Sequence, residues 1–232
     1  MVNKIKVIGF DADDTLWVNE PHFRNAEYKL ADLLRPIAPD TDIIDELFKT
    51  EMKNLELYGY GAKAFTLSLI ETAIKLSGDQ VSASIINEII EMGRSLMSIS
   101  IELIDSVDMV LPKLQQRYKL IVATKGDLLD QERKLIKSGL LPYFDHIEIM
   151  SDKKESDYKK LIDHLGILPE EFMMVGNSLK SDILPVLNMG GVGVHIPFHT
   201  TWQHETLKEA PENHYFEIEF IRQLLDILPL KS

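Results

Sequence analysis

The chain has 232 residues, 45% hydrophobic and 27% charged, with a formal net charge of -12 at pH 7 and no cysteine. That size and balance describe a globular protein with one sizeable core, or a core and a smaller second domain. The negative charge argues against nucleic acid or an anionic membrane as partner, and the lack of cysteine excludes disulfides and thiol chemistry.

A cysteine-free chain also agrees with a reducing compartment, so the cytoplasm is the expected location. The apolar run at the N-terminus is too short for a signal-peptide core. The longest uncharged stretch, residues 183–198, is interrupted by Pro185, Asn188 and several glycines. It falls short of the roughly 18 apolar residues that mark a membrane span. In chain order, residues 5–10 are apolar and β-branched and read as a buried strand, which ends abruptly in Asp11, Asp13 and Asp14. From there to about residue 106 the pattern is almost free of strands. Apolar residues recur at helical spacing over 22–34, 41–57, 62–76 and 81–97, with breaks at 36–39, 59–61 and 77–78. From Val107 onward the character changes again. Short apolar strands at 120–123, 146–150, 172–175 and 192–196 alternate with helical intervals such as 128–137 and 158–165. That alternation is expected to give an α/β fold with a doubly wound parallel, Rossmann-like sheet. The core then comprises residues 1–16 and 107–232, and residues 17–106 form an inserted all-helical domain. No internal repeat or low-complexity segment is present.

The end of the first strand carries the chemistry. In an open α/β sheet, ligands bind beyond the carboxyl ends of the strands. Crowded carboxylates there repel one another unless a cation or a proton compensates. A divalent metal site with one carboxylate positioned for attack is the reading these residues support. The sequence D-x-D-x-T at Asp11, Asp13 and Thr15 resembles the first signature of the haloacid dehalogenase superfamily, whose members are mostly phosphatases. The resemblance implies that Asp11 is a nucleophile forming an aspartyl-phosphate and that Asp13 is the general acid/base. Asp14 departs from the glycine that many members carry and puts the local loop geometry in question.

Three more signatures follow in order, each after an expected strand. Thr124 ends LIVATK and takes the place of the hydroxyl residue that, with backbone N–H groups around Lys125 and Gly126, would bind phosphoryl oxygens. Many members have Asn where Lys125 stands, and this lysine is expected to add positive charge. The third signature is a lysine after the next strand, offered twice in Ser151-Asp152-Lys153-Lys154-Glu155. Lys153 fits the family spacing better and would neutralise Asp11 and the phosphoryl group. The fourth is VGNSLKSD, where Asn177 replaces the family's usual acid and Asp182 remains. The resemblance implies Mg2+ held by Asp11, the Asp13 backbone carbonyl and Asn177. Asp182 would act on the metal directly, through water, or by holding Lys153.

The helical insertion matches the superfamily's first type of cap, a lid that excludes water and selects substrate. Taken together, the resemblance implies a Mg2+-dependent hydrolase of small phosphorylated metabolites. The alternatives on the same fold are a 2-haloacid dehalogenase, a phosphomutase, or a non-catalytic protein that binds a phospho-ligand. Asp13 favours the phosphatase, because an alkoxide leaving group needs a proton and a halide does not. One segment fits none of these roles. Residues 194–205, VHIPFHTTWQHE, place His195, His199, His204 and Trp202 after the last strand. They read as a structured loop beside the site, since their spacing is no recognised ligand set.

Overall fold

The structure is a computed structural model that describes residues 2–207 and 214–229. Six strands form one parallel sheet in the order β3-β2-β1-β4-β5-β6. They are β1 (Val7–Phe10), β2 (Lys119–Lys125), β3 (His146–Met150), β4 (Phe172–Gly176), β5 (Val192–His195) and β6 (Phe216–Glu217). Strand side chains point alternately to the two faces. Ile8 and Phe10 of β1 join Leu120, Val122, Met173 and Val175 in one core. Val7 joins Ile121, Ala123, Phe172 and Met174 in the other. Both faces are covered by helices, as an all-parallel sheet requires.

The helices, in chain order, are α1 (Glu20–Leu34), α2 (Ile43–Tyr58), α3 (Ala62–Leu76), α4 (Ala83–Ser98), α5 (Val107–Leu114), α6 (Leu128–Ser138), α7 (Glu155–Leu165), α8 (Leu184–Asn188) and α9 (Leu224–Ile227). Val110 and Leu111 of α5 and Leu224 of α9 pack into the first core. Tyr158, Leu161 and Val186 from α7 and α8 fill the second. None of the described helices is long and apolar enough to cross a membrane.

The chain divides into two compact units. One is the α/β unit, comprising the segment up to Glu20, Ile101–Lys125 and the chain from Gln131 onward. The other is helical, Pro21–Ser100 with the short segment Gly126–Asp130. The helical unit's main segment falls inside the expected 17–106, and backbone pairing explains that difference, while Gly126–Asp130 was expected in the core. Trp17 forms an antiparallel bridge with Leu103, Val18 N donates to Glu102 O at 2.9 Å, and Ile104 N donates to Leu16 O at 3.0 Å. The two connecting segments therefore pair with each other inside the α/β unit. The expected core range also takes in residues 1, 208–213 and 230–232, which lie outside the described residues.

The helical unit has its own core, including Leu30, Leu34, Leu47, Phe65, Leu69 and Ile89. Asp42 caps α2 by accepting from Asp45 N, and Ser82 caps α4 by accepting from Ile85 N. Gly93 is required where α4 meets α3, because a Cβ there would lie 2.2 Å from Thr66 Oγ1. Helix α1 begins two residues before the expected start. The Asp14 carboxylate accepts from Asn19 N at 2.8 Å and Glu20 N at 3.0 Å, and so caps it.

Candidate active site

The sheet order reverses at β1, which lies between β2 and β4. A crevice at such a switch point, beyond the carboxyl ends of the strands, is where α/β sheets bind ligands. Asp11 follows β1, Thr124 lies near the end of β2, Lys153 follows β3 and Asn177 follows β4. Topology alone brings these four strand ends side by side.

Asp11 stays in the ladder, donating its N–H to Val175 O at 2.9 Å, and is 7% exposed. Its Oδ1 accepts from Lys153 Nζ, and its Oδ2 faces Thr15 Oγ1 at 3.3 Å. Lys153 also donates to Asp182 Oδ1 at 2.6 Å, so one buried ammonium joins two buried carboxylates. Lys154 points elsewhere, with its side chain 74% exposed and paired with Asp152. Of the two candidate lysines, Lys153 is the one placed against Asp11. Burial pushes Asp11 up to about 7, against the pull of Lys153. Burial opposes charge on Lys153 as well, but Asp11 and Asp182 outweigh it and hold its pKa above the usual lysine value.

Asp13 carries three donors. Trp17 Nε1 reaches Oδ1 at 2.7 Å, Gln131 Nε2 reaches Oδ2 at 2.8 Å, and Lys134 Nζ lies 3.0 Å from Oδ1. The Gln131 amide is oriented by a second acceptor, Lys125 O at 2.8 Å, and it approaches Thr124 Oγ1 at 3.5 Å. Trp17, Gln131 and Lys134 were not anticipated. Gln131 and Lys134 lie three residues apart on α6 and so share a helix face, a signal too common to single them out. Asp14 adopts φ +61, the left-handed region open to glycine and tolerated by Asp. The departure from glycine therefore preserves the turn, and burial raises Asp14 to about 7 despite its two backbone donors.

The fourth strand end is built around a close approach. A Cβ on Gly176 would lie 2.2 Å from Asp182 Oδ2, so only glycine fits. Residues Leu179–Ile183 form a π-helical turn, a wide turn often found at functional sites. Both Asp182 oxygens are engaged, Oδ1 by Lys153 Nζ and Oδ2 by Ser178 N at 2.9 Å. Asp182 thus joins Lys153 to the backbone of Ser178. The Lys125 ammonium meets Glu205 Oε1 at 2.5 Å and Ser181 Oγ at 2.9 Å. Gly126 has φ +138, and its segment clusters with the helical unit.

Asp11 Oδ2 and Asn177 Oδ1 both face Thr15 Oγ1, at 3.3 and 3.4 Å. One hydroxyl proton satisfies at most one of them, at the long end of hydrogen bonding. Two side-chain oxygens that share a single hydroxyl donor suit a hard divalent cation that keeps much of its water. Among the described residues no group of three or more His, Cys, Asp or Glu is placed to hold a metal, so His195, His199 and His204 do not form such a site.

Comparison with known proteins agrees with this fold. A sequence model of the haloacid dehalogenase-like hydrolases matches residues 5–190. A solved haloacid dehalogenase-like family hydrolase from Xanthomonas campestris is 38% identical, superposes with a TM-score of 0.81, and is matched over 90% of this chain and 87% of its own. The N-acylneuraminate-9-phosphatase of Homo sapiens is 23% identical over 92% of this chain and 90% of its own length. That of Mus musculus is 34% identical over 38% of each chain. A glyceraldehyde 3-phosphate phosphatase from Methanopyrus kandleri is 25% identical over 97% of both chains.

Proposed function

The chain belongs to the haloacid dehalogenase-like hydrolases, and from that premise we propose that it hydrolyses small phosphomonoesters through an aspartyl-phosphate on Asp11. The observation that carries the reading is the buried Lys153 ammonium shared by Asp11 and Asp182. An ion pair desolvated at a strand end is an expensive way to stabilise a fold, and it makes sense where a carboxylate must be kept aligned for attack.

In the first half-reaction, Asp11 attacks phosphorus, and Asp13, once it has exchanged its Lys134 ion pair for a proton, gives that proton to the departing alkoxide. In the second, Asp13 takes a proton from water, which attacks the aspartyl-phosphate and releases inorganic phosphate. Thr124 and the backbone N–H groups that follow it bind phosphoryl oxygens, and Lys153 offsets their charge. Mg2+ would be held by Asp11, the Asp13 backbone carbonyl and Asn177, and when bound would supply positive charge beside the nucleophile. Asp182 positions Lys153. The helical unit acts as the substrate-selecting cap in this reading, while the chemistry stays in the α/β unit.

Phosphate release from p-nitrophenyl phosphate tests the proposal. Activity that needs Mg2+, disappears with EDTA and falls by more than about 1,000-fold in Asp11→Asn is expected. Full activity in Asp11→Asn would overturn it.

A further inference from the structure

The end of β5 and the segment after it take no part in the reaction as written, yet a residue from each grips the loop that carries Asn177. His195 Nε2 lies 3.1 Å from Asn177 O, and His195 Nδ1 lies 3.1 Å from Glu217 Oε2. Glu205, in the turn Gln203–Glu205, reaches further into the loop. Its Oε2 accepts from Ser178 Oγ at 2.6 Å and from Ser181 Oγ at 2.5 Å, while its Oε1 meets Lys125 Nζ. Ser178 Oγ in turn accepts from Ser181 N at 3.0 Å. Lys180 Nζ donates to His204 O at 2.7 Å and fastens the same turn from the other side.

Two lysine–carboxylate pairs thus flank the loop. Lys153–Asp182 holds Ser178 through its backbone N–H, and Lys125–Glu205 holds it through its hydroxyl. Asn177 sits immediately before Ser178. An Asn oxygen carries no net charge and attracts a cation only when aimed at it, so a neutral ligand depends on orientation more than a carboxylate does. Hydrogen-bonded groups behind a metal ligand set that orientation.

We propose that Glu205 is a positioning residue for the metal site, fixing Ser178 and Ser181 so that Asn177 Oδ1 is presented beside Asp11. The inference rests on Asn177 being a metal ligand. It assigns a task to the loop after β5 and to Lys125, whose charge is answered by Glu205.

The experiment is calorimetric titration of Mg2+ into the metal-free protein, wild type beside Asn177→Ala, Glu205→Gln and the double variant Lys125→Met/Glu205→Gln. Loss of a group that orients a metal ligand weakens metal binding by about 10–100-fold. Glu205→Gln is therefore expected to lose about tenfold in Mg2+ affinity, with kcat at saturating Mg2+ within about twofold of wild type. The double variant, which leaves no unpaired lysine charge, is expected to regain melting temperature while its Mg2+ affinity stays weak. Wild-type Mg2+ affinity in both Glu205 variants, with Asn177→Ala weakened, overturns the proposal and leaves the ligand assignment standing. Undiminished Mg2+ affinity in Asn177→Ala overturns the assignment and the proposal with it.

Discussion

The two units bury polar groups in different ways. In the helical unit Thr50 Oγ1 donates to Glu46 O, Thr72 Oγ1 to Ser68 O and Ser68 Oγ to Ala64 O, each four residues back along the same helix. Among its buried carboxylates, Glu27 pairs with Arg24 three residues away. In the α/β unit the buried or nearly buried pairs span the chain, with Lys153 and Asp11 separated by 142 positions, Lys134 and Asp13 by 121, and Lys125 and Glu205 by 80. Polar groups satisfied within one turn cost little and serve packing. Charges gathered from distant strand ends must overcome desolvation, which makes that end of the sheet the place to look for chemistry.

The contrast is open to attack by mutation. Lys153→Met leaves Asp11 and Asp182 buried without their shared cation. A loss of about 3–5 kcal/mol in denaturant stability is expected, together with loss of turnover. Adding Asp182→Asn to that variant should recover part of the stability, because one uncompensated charge goes with it; a double variant no more stable than the single would contradict the pairing. Glu205 gives the next effect. Burial acts to raise its pKa, but Lys125 and the hydroxyls of Ser178 and Ser181 prevail and bring it to about 2 from 4.5. A carboxylate whose folded pKa is depressed contributes stability above its unfolded value and loses it as pH falls. The contribution, on the order of 3 kcal/mol, is therefore expected at neutral pH and to fade between about pH 4.5 and 2. Glu205→Gln should flatten that part of the stability-versus-pH curve. In the helical unit the effects are smaller. Gly93→Ala drives a methyl against Thr66 and is expected to lose about 1–3 kcal/mol. Thr50→Ala, which removes only a local bond, should lose no more than about 1 kcal/mol. Neither should change kcat on p-nitrophenyl phosphate, and a change would show that the unit does more than bind.

Much of this was legible from the residues. The strand after each break, the order of Asp11, Thr124, Lys153 and Asn177, and helix α3 at Ala62–Leu76 follow from periodicity and from the family's signatures. The two-residue strand β6 was not, because Phe216–Glu217 is too short to show a period of two. Nor were the donors around Asp13, since nothing in local spacing announces that Gln131 and Lys134 face a residue 118 and 121 positions earlier. The loop after β5 drew notice through its histidines, yet its strongest contacts to the site run through Glu205. The available signal was a lysine at 125 where the family often has Asn, together with an acid in the loop, which the fold turns into a salt bridge.

The most direct measurement is the intact mass of Asp13→Asn after incubation with Mg2+ and p-nitrophenyl phosphate. Without its acid/base, the enzyme should form the phosphoenzyme slowly and hydrolyse it more slowly still, so a gain of one phosphoryl group should accumulate and map to Asp11. The same gain should be missing when Asp11→Asn is added. An unmodified protein that releases halide from chloroacetate, or a phosphoryl group mapped to another residue, would contradict the account.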